Sequence, residues 1–139
     1  MDTKNQISKI PGRVISRGSC EGQALVSGKD ISFLGGIDPI TGVVIDEFSD
    51  IKGKCIKDKV LIFPKGKGST VGSYIILQLK KNGVAPIGII NDNAEVIVAI
   101  GAIISEIPML EIGDINVIKT DNYIRLDATG KTGYVEIIN

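Results

Sequence analysis

Residues 59–90 spell out one folding unit, which constrains the architecture more than any other part of the chain. Lys59-Val60-Leu61-Ile62-Phe63 is an apolar, largely β-branched run of strand length, and Pro64, which has no N–H to donate, ends it. Gly66-Lys67-Gly68-Ser69-Thr70 follows as a glycine-rich turn. Beyond it Val71, Tyr74, Ile75, Gln78 and Leu79 recur at helical spacing along one face, which Ile76 and Leu77 widen. Ser69 or Thr70 is placed to cap the start of that helix, and Asn82-Gly83 its end. Ile87-Gly88-Ile89-Ile90 reads as a second buried strand. Strand, helix and strand with a short return make a βαβ crossover, so the two strands are expected to be parallel.

Strand-forming residues dominate both flanks. Residues 1–10 read as a flexible leader and residues 11–139 as one domain. Arg13 to Ser16 and Gln23 to Ser27 are expected strands, joined by a loop over Arg17-Gly18-Ser19-Cys20-Glu21-Gly22. Ile31-Ser32-Phe33-Leu34 reads as a short strand entering a turn at Gly35-Gly36-Ile37-Asp38-Pro39, and Val43-Val44-Ile45 as a buried strand. Phe48 to Lys57 reads as loop. Ala94 to Ile104 is rich in Val and Ile, yet its place between a strand and Pro108-Met109-Leu110 favours a short buried helix. Tyr123 to Asp127 and the run from Tyr134 form a hairpin about Thr129–Gly133. The fold class is therefore β-rich α/β.

Charge and composition narrow the function. Lys and Arg total 16, as do Asp and Glu, so the net charge is zero and the basic field that nucleic-acid binding needs is missing. Three Phe, three Tyr and no Trp leave little on which bases could stack. The longest apolar stretch, Val96 to Ile104, is far short of the ~20 residues of a membrane span. Residues 1–8 are polar and lack the apolar centre of a signal peptide. Cys20 and Cys55 show no pairing motif and suit a reducing cytoplasm. Cys20 reads as a small core residue, because no histidine is present to activate its thiol, and Cys55 as an exposed thiol. Two cysteines without a histidine do not make a zinc or iron–sulfur site of ordinary composition.

With no histidine for proton transfer, attention falls on the serine of the glycine-rich turn. The turn lacks the register of a phosphate-binding Walker loop, and Gly72 arrives one residue late for a dinucleotide fingerprint. Its spacing alone fits a plain helix cap. Three features favour a ligand site. Lys65 and Lys67 flank the glycines, and two adjacent hydroxyls stand where a cap needs one. The turn also follows an interior strand, at the carboxyl edge where α/β sheets hold ligands. There an anion or an alkoxide meets peptide N–H groups at a helix N-terminus. Ser32, with Gly35-Gly36 and Asp38, forms a second loop that either converges on this edge or is a simple glycine turn capped by Asp38.

Six segments, in this order, resemble the small subunit of the aconitase X family. They are Gly12-Arg-Val-Ile15, Glu21-Gly-Gln-Ala-Leu-Val-Ser27, Ile31-Ser-Phe-Leu-Gly-Gly-Ile-Asp-Pro39, Val60-Leu-Ile-Phe-Pro-Lys-Gly-Lys-Gly-Ser-Thr-Val-Gly-Ser73, Gly83-Val-Ala-Pro86, and Gly101-Ala-Ile-Ile104 followed by Ile107-Pro-Met109. The resemblance covers most of the chain from Pro11 to Gly133. It implies a swivelling β/β/α domain like the mobile domain of aconitase. It also implies a larger partner subunit that carries a 4Fe-4S cluster on three cysteines, with no cofactor bound by this chain. In archaeal members the implied reaction is dehydration of (R)-5-phosphomevalonate to trans-anhydromevalonate 5-phosphate, in a modified mevalonate route to isoprenoids. A dehydratase subunit for another hydroxy acid, such as a hydroxyproline, and a non-catalytic anion-binding module are the alternative readings.

Aconitases carry their catalytic serine on a Gly-x-Gly-Ser-Ser-Arg loop, which Gly66-Lys67-Gly68-Ser69-Thr70-Val71 resembles. Ser69 then matches the serine that acts as base, and Thr70 its neighbour. Val71 stands where the aconitase arginine grips a carboxylate, which argues against a tricarboxylate substrate. Lys67, Gly68, Thr70, Ser32 and Gly36 are expected to bind a small phosphorylated hydroxy acid. A free serine hydroxyl is protonated at neutral pH. Its activation is expected from the N–H groups of Gly68 to Val71, the helix N-terminus and a cation such as Lys67, in a site closed by two subunits.

Overall fold

The computed structural model describes residues 8–138. Its centre is the crossover unit expected from residues 59–90. Strands β3 (Val60–Phe63) and β4 (Gly88–Asn91) pair in parallel, with Val60 opposite Gly88 and Phe63 opposite Asn91. Helix α2 (Gly72–Lys81) connects them. Strand β2 (Gly18–Val26) adds in parallel to β3, and β5 (Met109–Glu111) to β4. Antiparallel strands β1 (Ser8–Ser16), β6 (Tyr123–Ala128) and β7 (Thr132–Ile137) complete the ring. The result is a closed barrel in the order β1-β5-β4-β3-β2-β6-β7. Closure pairs each of these strands on both sides, so none is left as an open edge. Helix α3 (Val96–Ile104) lies between β4 and β5 in sequence and packs on α2.

The period-two alternation of strands sorts the core into two layers. Val60, Ile62, Ile90 and Leu110 point into the barrel, against Ile124, Leu126, Ala128 and Val135. Leu61, Phe63, Ile89 and Met109 point outward, against Ile75, Ile76 and Leu79 of α2 and Val98 and Ala102 of α3. Every residue of β3 and β4 is buried, which is why both segments read as continuous apolar runs. Helix α2 ends on Gly83 at φ +73°, with Gly83 N–H donating to Lys80 O and Val84 N–H to Leu79 O. That paired arrangement satisfies the last carbonyls, as Asn82-Gly83 suggested.

Residues 96–104 are helical despite their β-branched content. The Glu95 carboxylate accepts the N–H groups of Ile97 and Val98 and so caps the first turn. Gly101 then lets α3 lie directly on α2, since a β-carbon there would come within 2.6 Å of Ile76 Cδ1 and 3.2 Å of Ser73 Cα.

Several expectations change. The loop expected over residues 17–22 is largely strand, because β2 pairs with β6 from Gly18 opposite Ala128 to Gln23 opposite Tyr123. Gly22 sits there for close approach, a β-carbon at that position falling 2.7 Å from Ile87 Cδ1. The expected strand at Ile31–Leu34 reduces to one bridge, Ile31 to Gly66, followed by a kinked turn α1 (Phe33–Gly36). Val43–Ile45 makes only isolated bridges, Val43 to Cys55 and Val44 to Ile37, and Ile45 is exposed. The buried face of α2 is Gly72, Ile75, Ile76 and Leu79, leaving Val71 and Tyr74 exposed, because α3 and the barrel choose the face. Residues 8–10 of the expected leader belong to β1, and residues 1–7 lie outside the described residues. Among the described residues no helix is long and apolar enough to cross a membrane.

Candidate active site

Four parallel strands, β2 to β5, deliver their carboxyl ends to one rim of the barrel. The loop leaving β3 is anchored there on three sides. Pro64 O accepts the N–H groups of Asp92 and Asn93 at 3.0 and 3.1 Å, which ties the exits of β3 and β4 together. Ile31 N–H donates to Lys65 O, and Lys67 N–H to Ile31 O at 3.0 Å, so the strand-like bridge at Ile31 holds the loop from the β2 side. Gly66 faces α3, where a β-carbon would collide with Val98 and sit 2.7 Å from Glu95 Oε1. Gly68 adopts φ +94°, open to glycine, and lies directly against Ser32.

Held this way, the loop presents Lys67, Gly68, Ser69, Thr70 and Val71 to the outside. Ser69 Oγ accepts the N–H of Val71 at 3.1 Å. The position before α2 is Val71, which has no capping side chain, so Ser69 acts on the helix entrance through this bond instead of by regular capping. Thr70 O accepts the Ser73 hydroxyl at 3.1 Å and Ser69 O accepts Gly72 N–H at 3.0 Å. The N–H groups of Gly68, Ser69 and Thr70 donate to nothing among the described residues. Lys67 makes no ion pair among them either, and the first turn of α2 carries no acid. Three open peptide donors, a hydroxyl polarised by a fourth and a free ammonium thus share one exposed turn. Donors arranged in this way are of the kind that favour an anion or negative charge on a nearby oxygen.

The second loop converges only in part. Ser32 is half-buried, donates its hydroxyl to Leu34 O at 3.0 Å and touches Gly68. Gly36 lies beyond Ser32, buried, with its carbonyl accepting Ile45 N–H and Asp46 N–H. It shapes the turn that carries Ser32. Asp38 caps its own turn through Ile40 N–H, the plainer of its two readings.

Three supporting groups escaped the sequence reading. Ser27 is buried at the end of β2 with its Oγ 3.0 Å from Asp50 Oδ1, while Asp50 Oδ2 accepts Gly28 N–H, which fixes the start of the loop leading to Ile31. Glu95 stands beside Gly66 as the α3 cap, a role that short side chains usually fill and that gave no sequence signal. Glu111 takes Arg13 Nε at 3.0 Å and Ala94 N–H at 2.7 Å, and these bonds hold its carboxyl below the ordinary range.

Among the described residues the side chains present do not form a ligand set for an iron–sulfur cluster. Among the described residues no three His, Cys, Asp or Glu side chains gather for a metal. Burial, followed by the Glu21 charge, pushes the Cys20 thiol up to about 12, away from the thiolate that a cluster requires. Cys20 packs on the barrel core, as expected, and Cys55 is exposed. A cleft of about 640 Å³ lies on the opposite rim, lined by Arg17, Cys20, Asp58, Lys80, Glu106 and Pro108. The Ser69 turn is instead open surface, the form expected of a site that a second protein completes.

Residues 9–137 match the family model described as the aconitase X swivel domain. The chain is 54% identical over 133 residues to the phosphomevalonate dehydratase small subunit of Methanosarcina acetivorans, covering 94% of this chain and 91% of that one. It is 57% identical over 120 residues to the protein of the same name from Thermococcus sibiricus, covering 86% and 92%. The crystal structure of Thermococcus kodakaraensis aconitase X in its holo-form superposes with a TM-score of 0.88 at 52% identity, covering 92% of this chain and 98% of that one.

Proposed function

The chain belongs to the aconitase X swivel-domain family, and on that premise we propose that it is the small subunit of a phosphomevalonate dehydratase. With a large subunit it removes water from (R)-5-phosphomevalonate to give trans-anhydromevalonate 5-phosphate. Curated relatives of this length, matched over nearly all of both chains, support the reading. The iron–sulfur cluster that the family implies is assigned in this reading to the large subunit, and the Cys20 thiol, held well above the thiolate range, supports that assignment. The two unpaired cysteines fit work in the cytoplasm.

One observation carries the chemistry: Ser69 Oγ accepts the Val71 N–H on a turn open to a partner. That N–H stabilises the alkoxide more than the hydroxyl, so it favours Ser69 as the general base that takes the carbon-bound proton. Closure by the large subunit removes water and strengthens the same dipole. The free N–H groups of Gly68 and Thr70 and the Lys67 ammonium hold an anionic end of the substrate. Ser32 packs directly against Gly68, and Gly36 supports the turn under Ser32. Val71 offers no charge to a further carboxylate, which suits a monocarboxylate carrying a phosphate.

The test is reconstitution. The chain, its large subunit and (R)-5-phosphomevalonate are mixed, and loss of one water is followed by mass and by the appearance of the conjugated product. Turnover only with both subunits supports the proposal. Turnover by this chain alone, or none by the loaded pair, overturns it.

A further inference from the structure

We infer that the outer face of α3 is the seat of the large subunit, an inference that rests on the small-subunit reading above. Helix α3 reads Val-Ile-Val-Ala-Ile-Gly-Ala-Ile-Ile, and no charged residue lies between Glu95 and Glu106. Val98, Gly101 and Ala102 face the core. The opposite face presents Val96, Ile100, Ile103 and Ile104, which are 65%, 44%, 54% and 50% exposed. Their spacing of four, three and one residues makes one continuous aliphatic stripe along the helix. A surface helix ordinarily turns charged or polar side chains outward, and one that is apolar all round is a buried helix. The chain on its own leaves this one in contact with water.

Two observations identify what covers it. First, the stripe begins beside the Ser69 turn: Gly66 packs on Glu95 and Val98, and a β-carbon on Gly72 would lie 3.4 Å from Ile97 Cγ2. These contacts run through the inner side of the first turn of α3, and Val96, between Glu95 and Ile97 in sequence, opens the stripe on its outer side. Second, four half-exposed side chains fall short of the ~800 Å² that each partner buries in a stable interface. The stripe must continue into further covered surface, and the exposed turn with Val71 and Tyr74 supplies it. Relatives of this chain are named small subunits, so a larger partner chain is the protein available to cover the stripe. The occupant is the large subunit, and the patch it lays on α3 is uncharged and aliphatic, because a lone charge would be stripped of water against this face.

The experiment uses the assembled complex. An Ile100→Glu, Ile103→Glu variant is titrated with the large subunit and compared with the wild-type chain and with Ile40→Glu, an exposed isoleucine on a separate turn. Val96→Glu is the second variant, since a negative charge in the first turn of a helix favours folding. Both α3 variants should melt with the wild type yet bind the large subunit about a hundredfold more weakly or worse. Activity should return as the large subunit is raised, and Ile40→Glu should bind normally. Unchanged binding by both α3 variants, or equal loss from Ile40→Glu, overturns the inference and leaves the dehydratase reading standing. A wild-type chain that does not bind the large subunit overturns both.

Discussion

A β-carbon on Gly68 would lie 2.5 Å from Ser32 Oγ and 3.2 Å from Ser32 Cβ. The two residues lie on different loops, with α1 and β3 between them in sequence, yet they pack directly together. Gly68 already sits at φ +94°, where an L side chain is strained. Gly68→Ala therefore combines a backbone penalty with a steric one and should cost about 1–3 kcal/mol of stability. Turnover should fall at least tenfold, because the neighbouring Ser69 moves with the loop. Adding Ser32→Ala removes the nearest clashing atom and should restore part of the lost stability. A double-mutant cycle by urea denaturation measures that coupling.

Ser69→Ala separates chemistry from folding. The variant loses a single hydroxyl contact to Val71 N–H, on an exposed turn. Loss of a capping-type hydroxyl costs about 0.5–2 kcal/mol. Assembly with the large subunit and substrate affinity should be kept, while turnover is abolished. Steady-state rates beside a binding isotherm check this, and full activity in the variant would reject the base role.

Glu111 makes stability depend on acid. Its hydrogen bond to Arg13, and then the Ala94 N–H, lower its pKa from the ordinary 4.5. A carboxyl with a depressed folded-state pKa contributes fully above its unfolded value, and that contribution disappears as pH falls through the folded value. Stability should thus be steady at neutral pH and decline below about pH 4.5. Glu111→Gln should be less stable than wild type at pH 7 and should show a shallower acid decline. Chemical denaturation across pH 3 to 7 reads both slopes.

The two thiols should differ in reactivity. Cys20 is half-buried with its pKa pushed up to about 12, whereas Cys55 is exposed. At pH 8 the native chain should give one fast-reacting thiol, lost in Cys55→Ser, and denaturant should release the second. A disulfide-exchange dye read by absorbance distinguishes the two. Fast labelling of Cys20 in the native chain would contradict the packed barrel around β2.

Much of the middle of the chain was legible in one dimension. The apolar runs of β3 and β4, the helix between them and its glycine stop all rest on interactions within a few residues, so periodicity and turn chemistry revealed them. The Ser69 turn was legible for the same reason, through its glycines and hydroxyls. Residues 18–22 were misread because their strand is defined by β6, more than a hundred residues away, and two glycines imitate a loop. Val43–Ile45 misled in the other direction, β-branched residues without a neighbouring strand to continue a ladder. The sequence left open whether the Ser32 loop reaches this turn, and Ile31 bridged to Gly66 and Glu95 beside Gly66 were invisible in it. Local order along the chain thus determined β3, α2, β4 and the glycine-rich turn between them. Closure of the barrel decided which loops meet at that turn and which apolar residues face outward, because those contacts join residues that carry no mutual signal until the backbone brings them within bonding distance.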